Sequence, residues 1–332
     1  MGKQYIILLC LLCSSFLIHA QKISKKDSLS TRQAIDTLLI DRDMNNWSIR
    51  VFTNYKGQSF SLRKDSDKVS FTPNNRAGVG IGLGTSKLII DIAFNLKGHE
   101  ENPTKRFDLQ GSLIVGEHNL VNLYVQRYKG FNVKNNFNEP EFFRDDVTSL
   151  SIGFNYLYTF KTISFSSSIL KAGLSEEKKK HFISAGVGGF MVYNNISGDS
   201  PLIPDNGIYN QDAYLDGLKG AGAGISAGVL SVFVLPANFF ATLNVIPGIG
   251  LMYKKGYVET GDYKVSNPLL YKLDFEAGLG YSFKNFYTTI AYGSGIYTTN
   301  LDYGLNYLYS NTKAKLAVGY KIRVNKKLKT PF

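Results

Sequence analysis

The clearest pattern in the chain is a strict alternation of apolar and polar residues over two segments, 105–115 and 119–131, joined near Gly116. In the first segment Phe107 and Leu109 share one face, while ions and amides occupy the other face. Period two over more than eight residues predicts a strand with two unlike faces. Ions and amides do not suit a sandwich core. We therefore expect the apolar face to contact lipid and the polar face to line the lumen of a transmembrane β-barrel.

The same alternation recurs along the rest of the chain and predicts thirteen strands in all. The other eleven are 47–56, 78–85, 88–96, 150–160, 163–172, 182–193, 220–234, 239–253, 273–283, 286–297 and 313–324. Bacterial single-chain barrels have an even number of strands, and the phasing of short and long connections breaks between Ile163 and Leu218. We therefore predict an all-β, antiparallel up-and-down barrel of about twelve strands, with fourteen as the alternative. Pro247 predicts a bulge in its strand.

The two ends of the chain differ from this pattern. Residues 1–20 combine Lys3, an apolar stretch and Ala20, which indicates a secretory signal peptide. A retained anchor and a lipoprotein acylated at Cys10 or Cys13 are the alternatives. Residues 21–46 form a polar periplasmic lead-in, 47–324 the barrel and 325–332 a basic tail. These features predict export to the outer membrane of a Gram-negative bacterium.

Composition agrees with an exported barrel. Aromatic residues make up 13% of the chain, and there are 32 glycines. Tyrosine suits a membrane interface and glycine suits bent strands. The formal charge of +12 predicts attraction to acidic lipid head groups, including lipopolysaccharide, or to an anionic solute. Because the lysines are spread along the chain, we expect no nucleic-acid partner.

The residues with chemical potential lie on the predicted inner face. A narrow barrel is filled by side chains, and charges there must pair because desolvating a lone charge is costly. A structural ion-pair network and a polar path or ligand site are both open at this point. The predicted luminal network consists of Arg50, Asp91, Arg106, Asp108, Gln110, Gln126, Asp274, Glu276, Lys321 and Arg323.

Catalytic and metal-binding patterns are sparse. One G-x-S-x-G match occurs, at residues 224–228, but it lies inside the alternating strand predicted at 220–234 with no helix after it, and no H-E-x-x-H occurs. We therefore expect no catalytic set, metal or cofactor. An extracellular-rim hydrolase site using His99 with Glu100 and Glu101 is the alternative function. The long connection 194–218 is a candidate lid, plug or binding loop because it exceeds ordinary connections.

Four segments carry a resemblance to a known family: DTLLIDRDMNNWSIRVF, SFTPNNRAGVGIGLG, KRFDLQ and YVQRYKGF. They resemble an uncharacterised family of outer-membrane-type β-barrels of Gram-negative bacteria, defined as a domain of unknown function. The resemblance implies fold and location, and no activity. The last strand also resembles the signal read by the barrel-assembly machinery, with Gly319, Ile322 and Val324 at the expected spacing. The expected role is binding, passage or scaffolding, with a small solute as a possible ligand.

Overall fold

The computed structural model describes residues 46–84, 89–96, 102–115, 118–137, 140–161, 181–203 and 214–323. The predicted signal peptide, nearly all of the lead-in and the basic tail lie outside these residues. So does the predicted strand 163–172. Within the described part, no helix has the length and apolar character needed to cross a membrane.

Fourteen antiparallel strands and one short 3-10 turn, Pro236–Asn238, make up the described chain. The strands are β1 (Asn46–Lys64), β2 (Asp67–Thr72), β3 (Ala77–Gly84), β4 (Ile89–Asn95), β5 (Lys105–Val115), β6 (Asn119–Asn135), β7 (Phe142–Thr159), β8 (Phe182–Ser197), β9 (Gly217–Val234), β10 (Phe239–Val258), β11 (Gly261–Lys264), β12 (Leu269–Phe283), β13 (Phe286–Asn300) and β14 (Leu305–Arg323).

Ten of these strands close into a ring. The order around the ring is β1, β2, β6, β7, β8, β9, β10, β12, β13 and β14, and β14 returns to pair with β1. The β1–β14 ladder runs the whole length of both strands, from Asn46 opposite Arg323 to Lys64 opposite Leu305. In contrast, β2 and β6 are joined by only four pairs, Val69–Asn135 to Thr72–Asn132. The prediction of an all-β antiparallel barrel is confirmed, but the closed ring has ten strands rather than twelve.

The remaining strands explain the difference in number. β3 pairs with the first half of β1, β4 pairs with β3, and β5 pairs with β6 from Asn119 to Lys129. These three strands therefore lie between β1 and β6 on one half of the barrel, while β2 alone bridges them on the other half. Among the described residues no ladder joins β4 to β5. β11 forms a short hairpin with the end of β10.

β7 pairs directly with β8, and the prediction of a strand at 163–172 is not tested because that segment lies outside the described residues. One local prediction needs correction. The bulge expected at Pro247 is wrong. Pro247 keeps its register opposite Leu273 in β12, and the ladder with β9 omits only the pairs at Ile246 and Pro247, because proline has no N–H to donate.

We call the end of the barrel where β1 begins and β14 ends the turn end, and the opposite end the loop end. The outer face carries exposed apolar residues, as the alternation predicts. Val51 is 63% exposed, Phe107 57% and Leu109 61%, whereas their inward neighbours Arg50 and Phe52 are buried. Exposed apolar residues also lie on seven further ring strands, so the outer face is apolar over most of the ring: Ile152, Met191, Ile225, Leu251, Leu279, Ile290 and Val318.

The inner face at the loop end is filled by apolar and tyrosine side chains. Phe60 stacks on Phe71 at 4.4 Å between ring centroids and meets Phe131 edge-on at 5.4 Å. Loop residues fold over this core and are themselves buried: Leu202, Ile203, Leu215, Val265 and Leu301. In the described part of the connection between β8 and β9, Leu202, Ile203 and Leu215 are thus part of a plug at this end.

Inward glycines let bulky side chains lie across the strands. A side chain at Gly153 would collide with the Tyr124 ring, and one at Gly78 would lie about 2.5 Å from the Asn54 carboxamide oxygen. Neighbouring large residues therefore occupy the space that these glycines leave, as expected for the glycine-alternating strand at 78–85.

Candidate functional site

Polar side chains replace the apolar core in the half of the lumen nearer the turn end. They surround a cavity of about 170 Å³ bordered by β6, β7, β9, β10, β12, β13 and β14. Leu120, Leu230 and Ile246 supply a small apolar patch. The polar lining includes Asn122, Asn155, Asn244, Asp274, Glu276, Asn311 and Lys313. The candidate site is therefore an amide-rich pocket inside the barrel.

The charges in and beside this pocket are paired. Lys272 forms an ion pair with Asp274 on the same face of β12, and its ammonium lies 5.3 Å from the Phe190 ring centroid. Lys313 Nζ lies 3.8 Å from Glu276 Oε2. Two carboxylates are thus matched by two ammonium groups, and the pocket has little net charge. Both carboxylates belong to the luminal network predicted from the sequence, whereas Lys272 and Lys313 do not. Lys272 lies one period-two step from Asp274 and could have been found by extending the pattern.

Gln126 connects this pocket to the loop-end core. Its side chain is fully buried. Tyr309 Oη donates to Gln126 Oε1 at 2.9 Å, and Gln126 Nε2 donates to Asn311 Oδ1 at 3.2 Å. Tyr309 belongs to the core and Asn311 to the pocket wall. One amide therefore bridges the two halves of the lumen.

A second polar group lies where β5 approaches β1 and β3. Arg106 donates to the backbone oxygens of Lys56 at 3.3 Å and Ala77 at 3.1 Å. Tyr128 Oη donates to Asp108 Oδ2 at 3.3 Å. The Arg106 guanidinium thus links β5 to β1 and β3, at the loop end of β5.

The other predicted luminal residues divide into two sets. Arg50 is buried on the inner face of β1, and Lys321 donates to Ser282 Oγ at 2.9 Å. The side chains of Asp91, Gln110 and Arg323 lie outside the described residues. The seven described members of the predicted network all lie on inward positions, but they fall into separate groups rather than one cluster.

The histidines have structural contacts where they are described. His118 Nδ1 lies 2.7 Å from the backbone oxygen of Thr159, and Val234 N–H donates to His181 Nδ1 at 3.2 Å. His99, Glu100 and Glu101 lie outside the described residues, so the rim hydrolase site stays a prediction. Across the described ranges, no group of three or more His, Cys, Asp or Glu side chains could hold a metal ion.

Several solved structures are similar to this chain. The translocator domain of the autotransporter NalP from Neisseria meningitidis has a TM-score of 0.35 at 10% identity, covering 82% of this chain and 88% of that one. OmpT of Vibrio cholerae has a TM-score of 0.29 at 10% identity, covering 86% and 100%. Ail of Yersinia pestis has a TM-score of 0.22 at 11% identity, covering 84% and 99%. Because these TM-scores lie below 0.5, we draw no conclusion from them.

No curated protein matches the chain. A family model for a domain of unknown function matches residues 34–322, which include the luminal pocket and all of the ring except Arg323. The segments that suggested a family in the sequence all fall within this range. The chain belongs to the family of the domain of unknown function DUF4421.

Proposed function

We propose that the protein is an integral outer-membrane barrel that is sealed at its loop end and binds a small polar solute in the luminal pocket. The observation that carries this proposal is the division of the lumen into an apolar plug and an amide-lined cavity. A continuous plug argues against free passage, and a polar cavity behind it argues for binding.

The outer surface supports the membrane location. Soluble proteins rarely expose apolar patches larger than a few hundred Å², whereas this face is apolar around most of the ring. Aromatic side chains gather at the turn end, where Phe239 lies 4.8 Å from Tyr281 and Phe286 lies 5.0 Å from Tyr320 between ring centroids. Rings at this height are typical of the interfacial girdle of outer-membrane barrels.

Location is tested by fractionation. We expect the protein to sediment with outer membranes and to migrate faster on gels before heating than after it. Recovery as a soluble periplasmic protein would overturn the location.

The pocket chemistry favours a neutral polyhydroxyl compound. A cavity of roughly 150 Å³ accommodates a benzene-sized molecule, so this pocket admits one small solute. The amides of Asn122, Asn155 and Asn244 can both donate and accept hydrogen bonds. The paired charges leave little net field to attract an ion. Hydroxyl groups can use this lining, and the apolar patch suits the carbon skeleton.

Calorimetric titration with glycerol, erythritol and glucose tests the pocket. We expect at least one of them to bind, and Asn122→Leu to weaken binding roughly tenfold by removing hydrogen bonds worth about 1.4 kcal/mol. Asn306→Leu, which changes an exposed residue at the loop end, is the matched control. Absence of binding by the natural protein, or equal loss in both variants, would contradict the proposed ligand class.

We also propose that β4 and β5 pair in the membrane, which makes a twelve-strand ring on the turn-end half. Unpaired strand edges are costly in lipid because backbone groups there find no water. Phe94 and Phe107 are both exposed on the outer face, so the faces match when these two residues lie opposite each other. The predicted mature chain has no cysteine, which makes a cross-link informative.

Oxidation of a Phe94→Cys/Phe107→Cys variant in membranes tests this register. We expect a disulfide, since paired residues lie within the Cα distances that disulfides need. The control, Phe94→Cys/Leu109→Cys, shifts one partner by two residues. Equal or no cross-linking in the two variants would refute the pairing.

A further inference from the structure

Three cations form a patch on the outer face of β5 and β6, near the loop end. Lys105 lies directly opposite Lys129 in the ladder, and Arg127 lies opposite Phe107 one step nearer the turn end. All three side chains are exposed. Directly opposed residues have Cβ atoms about 5 Å apart and diagonal neighbours about 7–8 Å apart. The three charges therefore share one small area, which we call the cationic patch.

This arrangement is unfavourable unless an anion is present. Like charges directly opposite in a sheet destabilise it, and in the described part of the chain none of these three side chains forms an ion pair. On the neighbouring strand β7, Lys129 faces Thr148 and Arg127 faces Leu150, so the ladder brings no carboxylate opposite them. The described residues therefore supply no counter-charge to these three cations, and an anion from outside the chain would supply one.

The position of the patch identifies the class of anion. Immediately towards the turn end, the same face carries the exposed side chains of Phe107, Leu109 and Leu123. A molecule that covers both areas needs an apolar tail against these residues and a negative head group against the cations. Long connections of outer-membrane barrels face the cell exterior, so the patch would lie at the outer leaflet.

We propose that the cationic patch binds the phosphate groups of a phosphorylated glycolipid of the outer leaflet. This inference rests on the proposed outer-membrane location. Arginine and lysine form strong charge-assisted hydrogen bonds to phosphate, and basic clusters beside a membrane attract anionic head groups. The acyl chains would lie along the apolar residues below the patch.

The site is tested by the sign of the change in melting temperature when the opposed lysines are neutralised. The variant Lys105→Gln/Lys129→Gln removes the opposed pair. The control Lys161→Gln/Lys284→Gln removes the same charge from exposed lysines at the turn end. Each protein is placed in phosphatidylcholine vesicles that contain either bisphosphorylated lipid A or its dephosphorylated form. The heat-modification midpoint is then measured.

In vesicles with dephosphorylated lipid, we expect the patch variant to melt at the same temperature as the natural protein or higher, because repulsion is relieved. With phosphorylated lipid A we expect it to melt several degrees lower, and Arg127→Gln to shift in the same direction. The control should respond equally to both lipids. Equal responses of the patch variant would overturn the inference, while failure of the natural protein to insert into any vesicle would instead overturn the membrane location.

Discussion

The two halves of the lumen are built from the same strands but filled with opposite chemistry. Along the inner face of β14, Leu305, Tyr307 and Tyr309 are buried at the loop end, and Asn311 and Lys313 line the pocket nearer the turn end. β12 repeats the change, from buried Leu270 to the paired Lys272 and Asp274. The alternation of faces is constant along each strand, and only the character of the inward residues changes.

This difference separates sealing from binding. At the loop end, inward side chains are buried in one contiguous apolar cluster and loop residues cover them, so the barrel has a core there. Nearer the turn end, the same wall leaves a cavity whose polar groups satisfy one another only in part by direct contact. We therefore expect the loop-end half to supply most of the stability and the turn-end half to contact the ligand.

The largest expected effect is in the loop-end core. Phe60→Ala removes a ring that is 1% exposed and contacts two others, and should cost about 3–5 kcal/mol of unfolding free energy. Val51→Ala, on the outer face of the same strand, should cost less than about 1 kcal/mol in detergent. Denaturant unfolding of the two variants measures the difference. Similar losses would mean that the core does not carry the stability assigned to it.

The next largest loss of unfolding free energy is expected at Gln126, which links the two halves of the lumen. Gln126→Leu leaves Tyr309 Oη and Asn311 Oδ1 without this partner and should cost about 1–3 kcal/mol. A double-mutant cycle with Tyr309→Phe should give a coupling of roughly 0.5–1.5 kcal/mol. Strict additivity of the two substitutions would show that the bridge is energetically silent.

A pH-dependent contribution is expected at the loop-end rim, where Arg144 and Asp146 hold the connection after β8. Arg144 donates to Asp146 and to the backbone oxygens of Ser200 and Pro201, while Asp199 N–H donates to Asp146. The Arg144 hydrogen bonds lower the pKa of Asp146 from 3.8 to about 2. The stabilisation is thus complete above the ordinary pKa and is lost as pH falls through about 2.

Unfolding measured at about pH 5 and about pH 2 tests this contact. Allowing for solvent screening at the rim, the natural protein should lose about 1 kcal/mol more than Asp146→Asn over this range. An equal pH dependence in the two proteins would show that Asp146 makes no pH-dependent contribution to stability.

The smallest effect is expected in the pocket. The Lys313–Glu276 pair is long, and the lysine is half exposed, so Glu276→Gln should change the unfolding free energy by less than about 0.5 kcal/mol. Denaturant unfolding of Glu276→Gln and Phe60→Ala, measured under the same conditions, compares the two regions directly. A loss above about 2 kcal/mol would mean that the pocket charges are structural.

The sequence predicts faces better than it predicts neighbours. Period two correctly placed Phe107 and Leu109 outward and Arg106 and Asp108 inward, because the alternation follows from strand geometry alone. It did not place Tyr307 and Tyr309 on any strand, because the last strand was predicted to begin at residue 313 and β14 begins at Leu305. The chemical character of the loop-end lumen was therefore missed.

Strand order depended on contacts that no local pattern encodes. The ring depends on the pairing of β2 with β6, in which Val69 lies opposite Asn135, far away in the chain. In sequence, β3, β4 and β5 have the same alternating pattern as the ring strands. The Pro247 bulge was expected from the missing N–H, but the strand keeps its register because its other neighbour, at Leu273, continues the ladder. Of the candidate site, the carboxylates were found. Lys272 lies two residues before Asp274 on the same strand and was missed, whereas the pairing of Lys313 with Glu276 depends on how β12 and β14 are arranged around the ring.

Ionic conductance measures the central claim most directly. Purified protein inserted into planar lipid bilayers, with a known porin as the insertion control, should give no stable conductance steps, because the core around Phe60 fills the lumen at the loop end. Reproducible steps of constant size from the natural protein would show an open path through the barrel and would contradict the sealed lumen.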